Sequence, residues 1–220
     1  MPPVIKNLII INVLMFLAQQ VWAEWTYENL GLFYFDSPFF QPVQLVTHMF
    51  MHGSIAHIFF NMFALWMFGS VLENVWGPKR FLLYYFITGF GAVILHQVAG
   101  AFQLYEITGS VLTPENLGTY SQPQIETIRS IVSAPVVGAS GAIFGVLAGF
   151  GLLFPNTLLY VYFLFPIKAK YFILIYIGIE IYMGFVNSPG DNVAHFAHLG
   201  GALFGFILIK IWGKDKRRFY

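Results

Sequence analysis

The chain has 220 residues, of which 58% are hydrophobic and 10% are charged, and its formal net charge is +1. Soluble domains carry about a quarter charged residues, disordered chains combine low hydrophobicity with high net charge, and nucleic-acid binders carry a basic excess. The composition excludes all three classes, and the absence of cysteine excludes a disulfide framework, a zinc-thiolate site and a cysteine nucleophile. A multi-pass membrane protein with one domain over residues 1–220 remains.

Six apolar stretches are predicted to cross the bilayer, since about 20 apolar residues span its hydrocarbon core. They lie at residues 4–23, 54–75, 81–101, 140–154, 171–186 and 193–211. The predicted fold is therefore an all-α polytopic bundle of six transmembrane helices. Two outer loops, 24–53 and 102–139, exceed ordinary connections, so we expect them to be ordered against the bundle or functional.

The basic residues predict the orientation of the bundle, because Lys and Arg concentrate in cytoplasmic loops. Only Arg129 falls in the loops of one side, and the other side holds Lys6, Lys79, Arg80, Lys168, Lys170, Lys210, Lys214, Lys216, Arg217 and Arg218. Both termini are therefore expected in the cytoplasm. We expect an integral protein of the cell membrane, which is the inner membrane in a bacterium, with the basic C-terminal run facing anionic lipid and not nucleic acid.

Four polar residues on three spans are predicted to lie at one depth below the outer surface. Span four is too short to cross the core, which places Ser140 roughly 8 Å below the outer boundary. Counted inward in the same way, His198 lies about 7.5 Å down, His57 about 5 Å and Asn61 about 10 Å. Polar residues inside a membrane are costly, so this convergence indicates a functional site.

These residue types suit acyl transfer by a serine nucleophile. A serine hydroxyl needs an adjacent base such as a neutral imidazole, and the oxyanion needs donors, for which the Ser140 backbone N–H, the Asn61 amide and the His57 ring are suited. No carboxylate is expected at the same level, so the prediction is a Ser–His dyad. Glu180 is placed near the middle of span five and assigned to a structural hydrogen bond, with hydration of the site or orientation of a partner as alternatives.

Glycines repeat every four residues on spans four and six. Such small faces let membrane helices approach closely, and if these two faces meet, Ser140 and His198 stand at the outer ends of adjoining grooves. The glycines are Gly141, Gly145 and Gly149 on span four, and Gly201 and Gly205 on span six.

The motifs around these residues resemble those of the rhomboid family of intramembrane serine proteases. Gly138-Ala139-Ser140-Gly141 matches the G-x-S-G nucleophile loop, and Ala197-His198-Leu199-Gly200-Gly201 matches the A-H-x-x-G segment. The segment from His52 through His57 to Asn61 matches the family's H-x4-H-x3-N pattern, and Glu73 resembles a structural glutamate at the cytoplasmic end of that helix. Val43-Gln44 departs from the family, where many members carry Trp-Arg.

The resemblance implies an intramembrane serine endopeptidase without cofactor or metal. It implies Ser140 as nucleophile, His198 as general base and acid, His57 and Asn61 as oxyanion donors, and transmembrane segments of other proteins as substrates. His195, one turn above His198, competes as base by spacing alone but is expected at the rim. The sequence predicts no oligomeric state.

Two other functions and a metal site are also compatible with the sequence. A rhomboid-like pseudoprotease would bind membrane clients without cutting them, and a transporter would hold its polar site at the midplane. His48 and His52 are four residues apart and could share a helical face as metal ligands. No Glu follows His48, however, so the H-E-x-x-H zinc motif is absent.

Overall fold

The structure is a computed structural model that describes residues 1–161, 165–186 and 193–213. The basic run 214–218, used above for the orientation, lies outside the described residues.

The described elements follow one another as helices with a single hairpin. They are α1 (Pro3–Val21), α2 (Ala23–Leu30), α3 (Gln44–Thr47), a 3-10 turn (His48–Phe50), α4 (Ile55–Ala64), a π-helical turn (Leu65–Gly69), α5 (Ser70–Trp76), α6 (Pro78–Thr108), a 3-10 turn (Leu117–Thr119), α7 (Gln122–Ser133), α8 (Ser140–Leu153), β1 (Leu158–Val161), β2 (Phe165–Lys168), α9 (Ala169–Val186) and α10 (His195–Trp212).

Within the described residues, five helical segments are long and apolar enough to cross a membrane: α1, the continuous segment Ile55–Trp76, α6, α9 and α10. The sixth apolar helix, α8, has only 14 residues, about 21 Å of rise. Every residue of α8 from Gly141 to Gly151 is buried, so this short helix is the centre of the bundle. The predicted all-α polytopic fold is confirmed.

Contacts between helix ends define one face of the bundle. Both carboxylate oxygens of Glu73 accept hydrogen bonds, from the backbone N–H groups of Val4 and Ile5, each at 2.9 Å. The Arg80 guanidinium lies 4.4 Å from the ring centroid of Trp212, near the end of α10. The start of α1, the α5–α6 turn and the end of α10 therefore meet at one face, and the starts of α8 and α10 lie toward the other.

The two long outer loops are ordered and joined to each other. Leu32 and Val136 exchange backbone hydrogen bonds of 2.9 and 2.8 Å. The helix α6 continues to Thr108, past the predicted end at residue 101, and its extension packs against α7 in a second small core. That core contains Tyr34, Leu104, Ile128 and Val132.

Gln44, which stands at the point of departure from the family motif, organises the first outer loop. Its side chain is fully buried. Its Oε1 accepts from the backbone N–H groups of Phe33 and Gln41, and its Nε2 donates to the carbonyls of Glu28 and Phe39. A neutral amide that donates and accepts in this way satisfies four backbone groups of the loop at once.

The connection between α8 and α9, for which the sequence predicted no element, contains two short antiparallel strands. Leu158 pairs with Lys168 and Val161 with Phe165. Aromatic and β-branched residues fit a pleated strand. The strands were nevertheless not predicted, because a short apolar run next to a membrane span is hard to distinguish from the end of that span.

Candidate active site

Ser140 is the first residue of α8 and follows a turn that requires glycine. Gly138 has a φ of +139°, a backbone conformation that side chains with a Cβ rarely adopt. The Gly138 N–H donates to the carbonyl of His48 at 2.9 Å, which ties the turn to the first outer loop. At the start of a helix the backbone N–H groups, including that of Ser140, lack intrahelical acceptors. The turn therefore presents a hydroxyl together with free backbone donors.

His198 lies in the second turn of α10 and meets Ser140 directly. The imidazole Nε2 is 2.8 Å from Ser140 Oγ, and the residue is only 8% exposed. Phe144, one turn below Ser140 on α8, stacks on the imidazole with ring centroids 4.2 Å apart and planes at 7°. The packing thus holds the ring in the plane that points its Nε2 at the serine.

Glycines allow the two helices to approach closely enough for this contact. A β-carbon on Gly201 would collide with the carbonyl oxygen of Gly141, and one on Gly205 would lie 3.0 Å from the carbonyl oxygen of Gly145. The glycines of α8 face α6 instead: a β-carbon on Gly141 would collide with Ala92, one on Gly145 with Thr88, and one on Gly149 would meet the Tyr84 hydroxyl at 2.8 Å. Gly201 and Gly205 therefore let α10 approach the backbone of α8, and the three glycines of α8 make room for α6.

A carboxylate reaches the histidine, contrary to the dyad predicted above. Glu180 Oε2 lies 2.9 Å from His198 Nδ1, and Glu180 is only 4% exposed. Glu180 is six residues from the end of α9 at Val186, which places it about 9 Å down the helix from that end. That depth is close to the depths counted for Ser140 and His198, so Glu180 lies at the same level of the bundle as these two residues.

The opposite side of Ser140 carries the residues expected to bind an oxyanion. A β-carbon on Gly138 would lie 2.9 Å from the His57 ring and 3.4 Å from Ser140 Oγ, so these three groups converge. Asn61 lies one turn along α4 from His57, hence on the same helix face, and is 7% exposed. Its Nδ2 makes no hydrogen bond within the described part of the chain. A buried donor without a partner, on the helix face that also carries His57, is suited to an anion that forms during a reaction.

The remaining histidines occupy other positions. His195 Nδ1 lies 2.7 Å from Glu180 Oε2, so this histidine contacts the carboxylate and not the serine. His48 Nδ1 bonds to the Gln44 carbonyl at 2.7 Å, and His52 packs its ring against His57 with centroids 4.9 Å apart. The predicted metal-ligand alternative for His48 and His52 therefore gains no support from their placement, because the two rings have different neighbours.

A metal could in principle bind the Glu180, His195 and His198 cluster, since one ligand atom from each lies within 4.8 Å of the others. Two ligands about 2.0–2.1 Å from a tetrahedral zinc are roughly 3.3 Å apart. The nitrogen–oxygen distances here, 2.7 and 2.9 Å, are those of direct hydrogen bonds. The geometry of this cluster therefore fits two hydrogen bonds to Glu180 better than coordination of a metal ion.

Two contacts of His198, those with Glu180 and Phe144, were not predicted from the sequence. Phe144 is four residues after Ser140, so helical spacing places both on one face of α8 and could have indicated the stack. For Glu180, counting from the outer end of span five would have given the correct depth. The rotation of α9 toward His198 has no signal in the sequence.

Comparison with known proteins agrees with this architecture. The sequence model of the Rhomboid domain matches residues 40–214. RHOMBOID-like protein 12, mitochondrial, of Arabidopsis thaliana is 27% identical over 80% of this chain and 48% of its own length. In Bacillus subtilis, the putative rhomboid protease YdcA is 29% identical over 80% of this chain and 70% of its own length, and the rhomboid protease GluP is 33% identical over 79% of this chain and 26% of its own.

The match to the Rhomboid domain covers most of the chain, and the chain therefore belongs to the rhomboid family. It is a multi-pass membrane protein of a family that includes proteases. The chain spans about half the length of the plant relative and about a quarter of GluP.

Proposed function

We propose that the protein is an intramembrane serine endopeptidase. The observation that carries the proposal is the 2.8 Å contact between Ser140 Oγ and His198 Nε2 inside a helical bundle of the rhomboid family. Nucleophile and base within hydrogen-bond reach are the structural signature of covalent catalysis by serine.

In the proposed reaction, Ser140 Oγ attacks the carbonyl carbon of a peptide bond while His198 Nε2 takes its proton. The tetrahedral intermediate then collapses, and the C–N bond breaks as the imidazolium gives that proton to the leaving amine. In deacylation His198 removes a proton from water and the hydroxide attacks the acyl carbon. The bond between that carbon and Ser140 Oγ then breaks, and the proton returns from His198 to Oγ.

The negative charge of the intermediate would lie between α4 and the start of α8. The Ser140 backbone N–H, the Asn61 Nδ2 and the His57 ring are the three donors proposed for it. His57 Nδ1 accepts a hydrogen bond from the Gly53 N–H at 3.3 Å, so its Nε2 carries the proton and faces Gly138. Donors that are already in position need no reorganisation during the reaction.

Transmembrane segments of other proteins are the proposed substrates, entering past α9. Among the described spanning segments, α9 has the smallest share of its apolar window buried, 17% against 22–44%. A substrate helix hides its carbonyls in hydrogen bonds and must unwind before attack. We further propose that the face formed by Glu73, Arg80 and Trp212 is cytoplasmic, as the basic residues predict, and that the membrane is a bacterial inner membrane.

The test is incubation of the purified protein with a panel of single-span membrane proteins, followed by location of the cut by mass spectrometry. We expect a single cut near the outer end of the substrate segment, together with covalent labelling by a fluorophosphonate, and neither with Ser140→Ala. A folded wild-type protein that binds substrates but neither cuts them nor reacts with the probe would contradict the proposal and favour the pseudoprotease.

Asn61→Ala is expected to lower kcat on the order of 10²- to 10³-fold, because one donor to the oxyanion is lost, while KM stays near its wild-type value. The matched control is Asn12→Ala, which removes a buried asparagine of α1 whose Nδ2 donates to the Leu8 carbonyl at 2.7 Å. The measurement is the kcat and KM of both variants in steady-state cleavage. An Asn61→Ala enzyme with the kcat of the Asn12→Ala enzyme would exclude Asn61 from the reaction.

A further inference from the structure

We propose that Glu180 is the positioning residue of the catalytic histidine, so that the site works as a Ser140–His198–Glu180 triad distributed over three helices. This inference rests on the proposed function. Three hydrogen-bond contacts connect these side chains in series: Ser140 Oγ to His198 Nε2 at 2.8 Å, His198 Nδ1 to Glu180 Oε2 at 2.9 Å, and Glu180 Oε2 to His195 Nδ1 at 2.7 Å.

The first consequence concerns the tautomer of His198. An ionised carboxylate only accepts hydrogen bonds, so the contact with Glu180 places the imidazole proton on Nδ1. The neutral ring then carries its lone pair on Nε2, the atom that faces Ser140. This is the tautomer that a general base for Ser140 requires, since the other tautomer would present an N–H to the hydroxyl.

The second consequence concerns charge. When His198 accepts the serine proton it becomes an imidazolium in a site that is only 8% exposed, where water offers little stabilisation. Glu180, at 4% exposure, supplies an opposite charge at hydrogen-bond distance. Buried charges are tolerated when they are paired and hydrogen-bonded. The Glu180 carboxylate therefore stabilises the imidazolium form of His198.

His195 completes the arrangement from the rim. Its Nδ1 and that of His198 approach the same carboxylate oxygen, so two side chains on one face of α10 hold Glu180. Phe144 holds the imidazole plane by stacking, but stacking does not distinguish between the two tautomers because both have the same shape. Selection of the tautomer with its proton on Nδ1 is therefore the role of Glu180.

The kinetic test compares Glu180→Gln and Glu180→Asp with wild type. Glutamine keeps the shape but loses the charge that stabilises the imidazolium, so we expect kcat to fall on the order of 10²- to 10⁴-fold with KM unchanged and the pH profile of kcat displaced. Aspartate keeps the charge on a shorter side chain and is expected to restore part of the rate.

The matched control is Glu73→Gln. Glu73 is another buried carboxylate that accepts two hydrogen bonds, but at the opposite face of the bundle. We expect Glu73→Gln to lower the unfolding temperature while the wild-type kcat and pH profile persist. Equal kcat losses in the two glutamine variants, or a wild-type kcat and pH profile in Glu180→Gln, would overturn the proposal.

A second measurement does not depend on a variant of Glu180 folding or on protease activity. In wild-type protein labelled with 15N-histidine, the His198 ring, assigned by its absence from His198→Gln, is expected to show a proton on Nδ1 and an unprotonated Nε2 at neutral pH. An Nε2–H tautomer would overturn the proposal. If instead the wild type shows the expected tautomer but cuts no substrate, the proposed protease function fails while the Glu180–His198 arrangement stands.

Discussion

Ser140→Ala, His198→Ala and the double variant are expected to show the same residual cleavage rate, on the order of 10⁴- to 10⁶-fold below wild type. The reason is that nucleophile and base act as one unit: without the Ser140 hydroxyl the imidazole has no proton to take, and without the imidazole the hydroxyl stays a poor nucleophile. The 2.8 Å contact between them is the structural basis for this non-additivity.

The measurement is the single-turnover cleavage rate of each variant on one transmembrane substrate, with thermal unfolding in detergent to show that each is folded. Ser130→Ala is the matched control, since Ser130 is on α7 and donates to the Thr127 carbonyl at 2.8 Å, away from the site. A double variant whose loss equals the product of the two single losses would show that Ser140 and His198 act independently and would contradict the proposed mechanism.

Gly201→Ala is expected to damage both stability and activity. The added methyl group would collide with the Gly141 carbonyl oxygen and lie 2.7 Å from its carbon, so α10 must move away from α8. Overpacking of this kind costs about 1–3 kcal/mol of unfolding free energy. Because His198 is three residues before Gly201 and Ser140 is next to Gly141, a shift of about 1 Å would also cost roughly 10²-fold in rate.

Gly178→Ala on α9 is the matched control and is expected to change stability in the opposite direction. Among the described residues, nothing lies within 4 Å of a β-carbon at Gly178. Alanine in a helix interior is favoured over glycine by about 0.5–1 kcal/mol, so the unfolding temperature of this variant should rise slightly. A Gly201→Ala protein with the unfolding temperature and cleavage rate of Gly178→Ala would show that the α8–α10 contact is looser than the structure indicates.

Much of the bundle was predictable because membrane spans obey strong local rules. The apolar length of each span and the four-residue spacing of Gly141, Gly145, Gly201 and Gly205 are properties of short stretches of chain. The depths counted for Ser140 and His198 were also local, because each needs only the number of residues from the end of its own helix.

Other parts depended on contacts between distant segments. The extension of α6 to Thr108 is stabilised by packing against α7. The strands β1 and β2 depend on pairing with each other, because each is only four residues long. The burial of Gln44 depends on four backbone groups from other parts of its loop. Each of these is decided by partners that hydropathy and helical periodicity do not identify.

The sequence by itself determined that the protein belongs in a membrane, and it singled out Ser140, His198, His57 and Asn61 as candidates, because polar groups are conspicuous in apolar spans. Only the tertiary structure decided that Glu180, which is distant in sequence, contacts His198. The physical reason is that depth along a helix follows from counting residues, whereas the direction in which a side chain points depends on how α9 is rotated against α10. That rotation is set by the packing of the whole bundle.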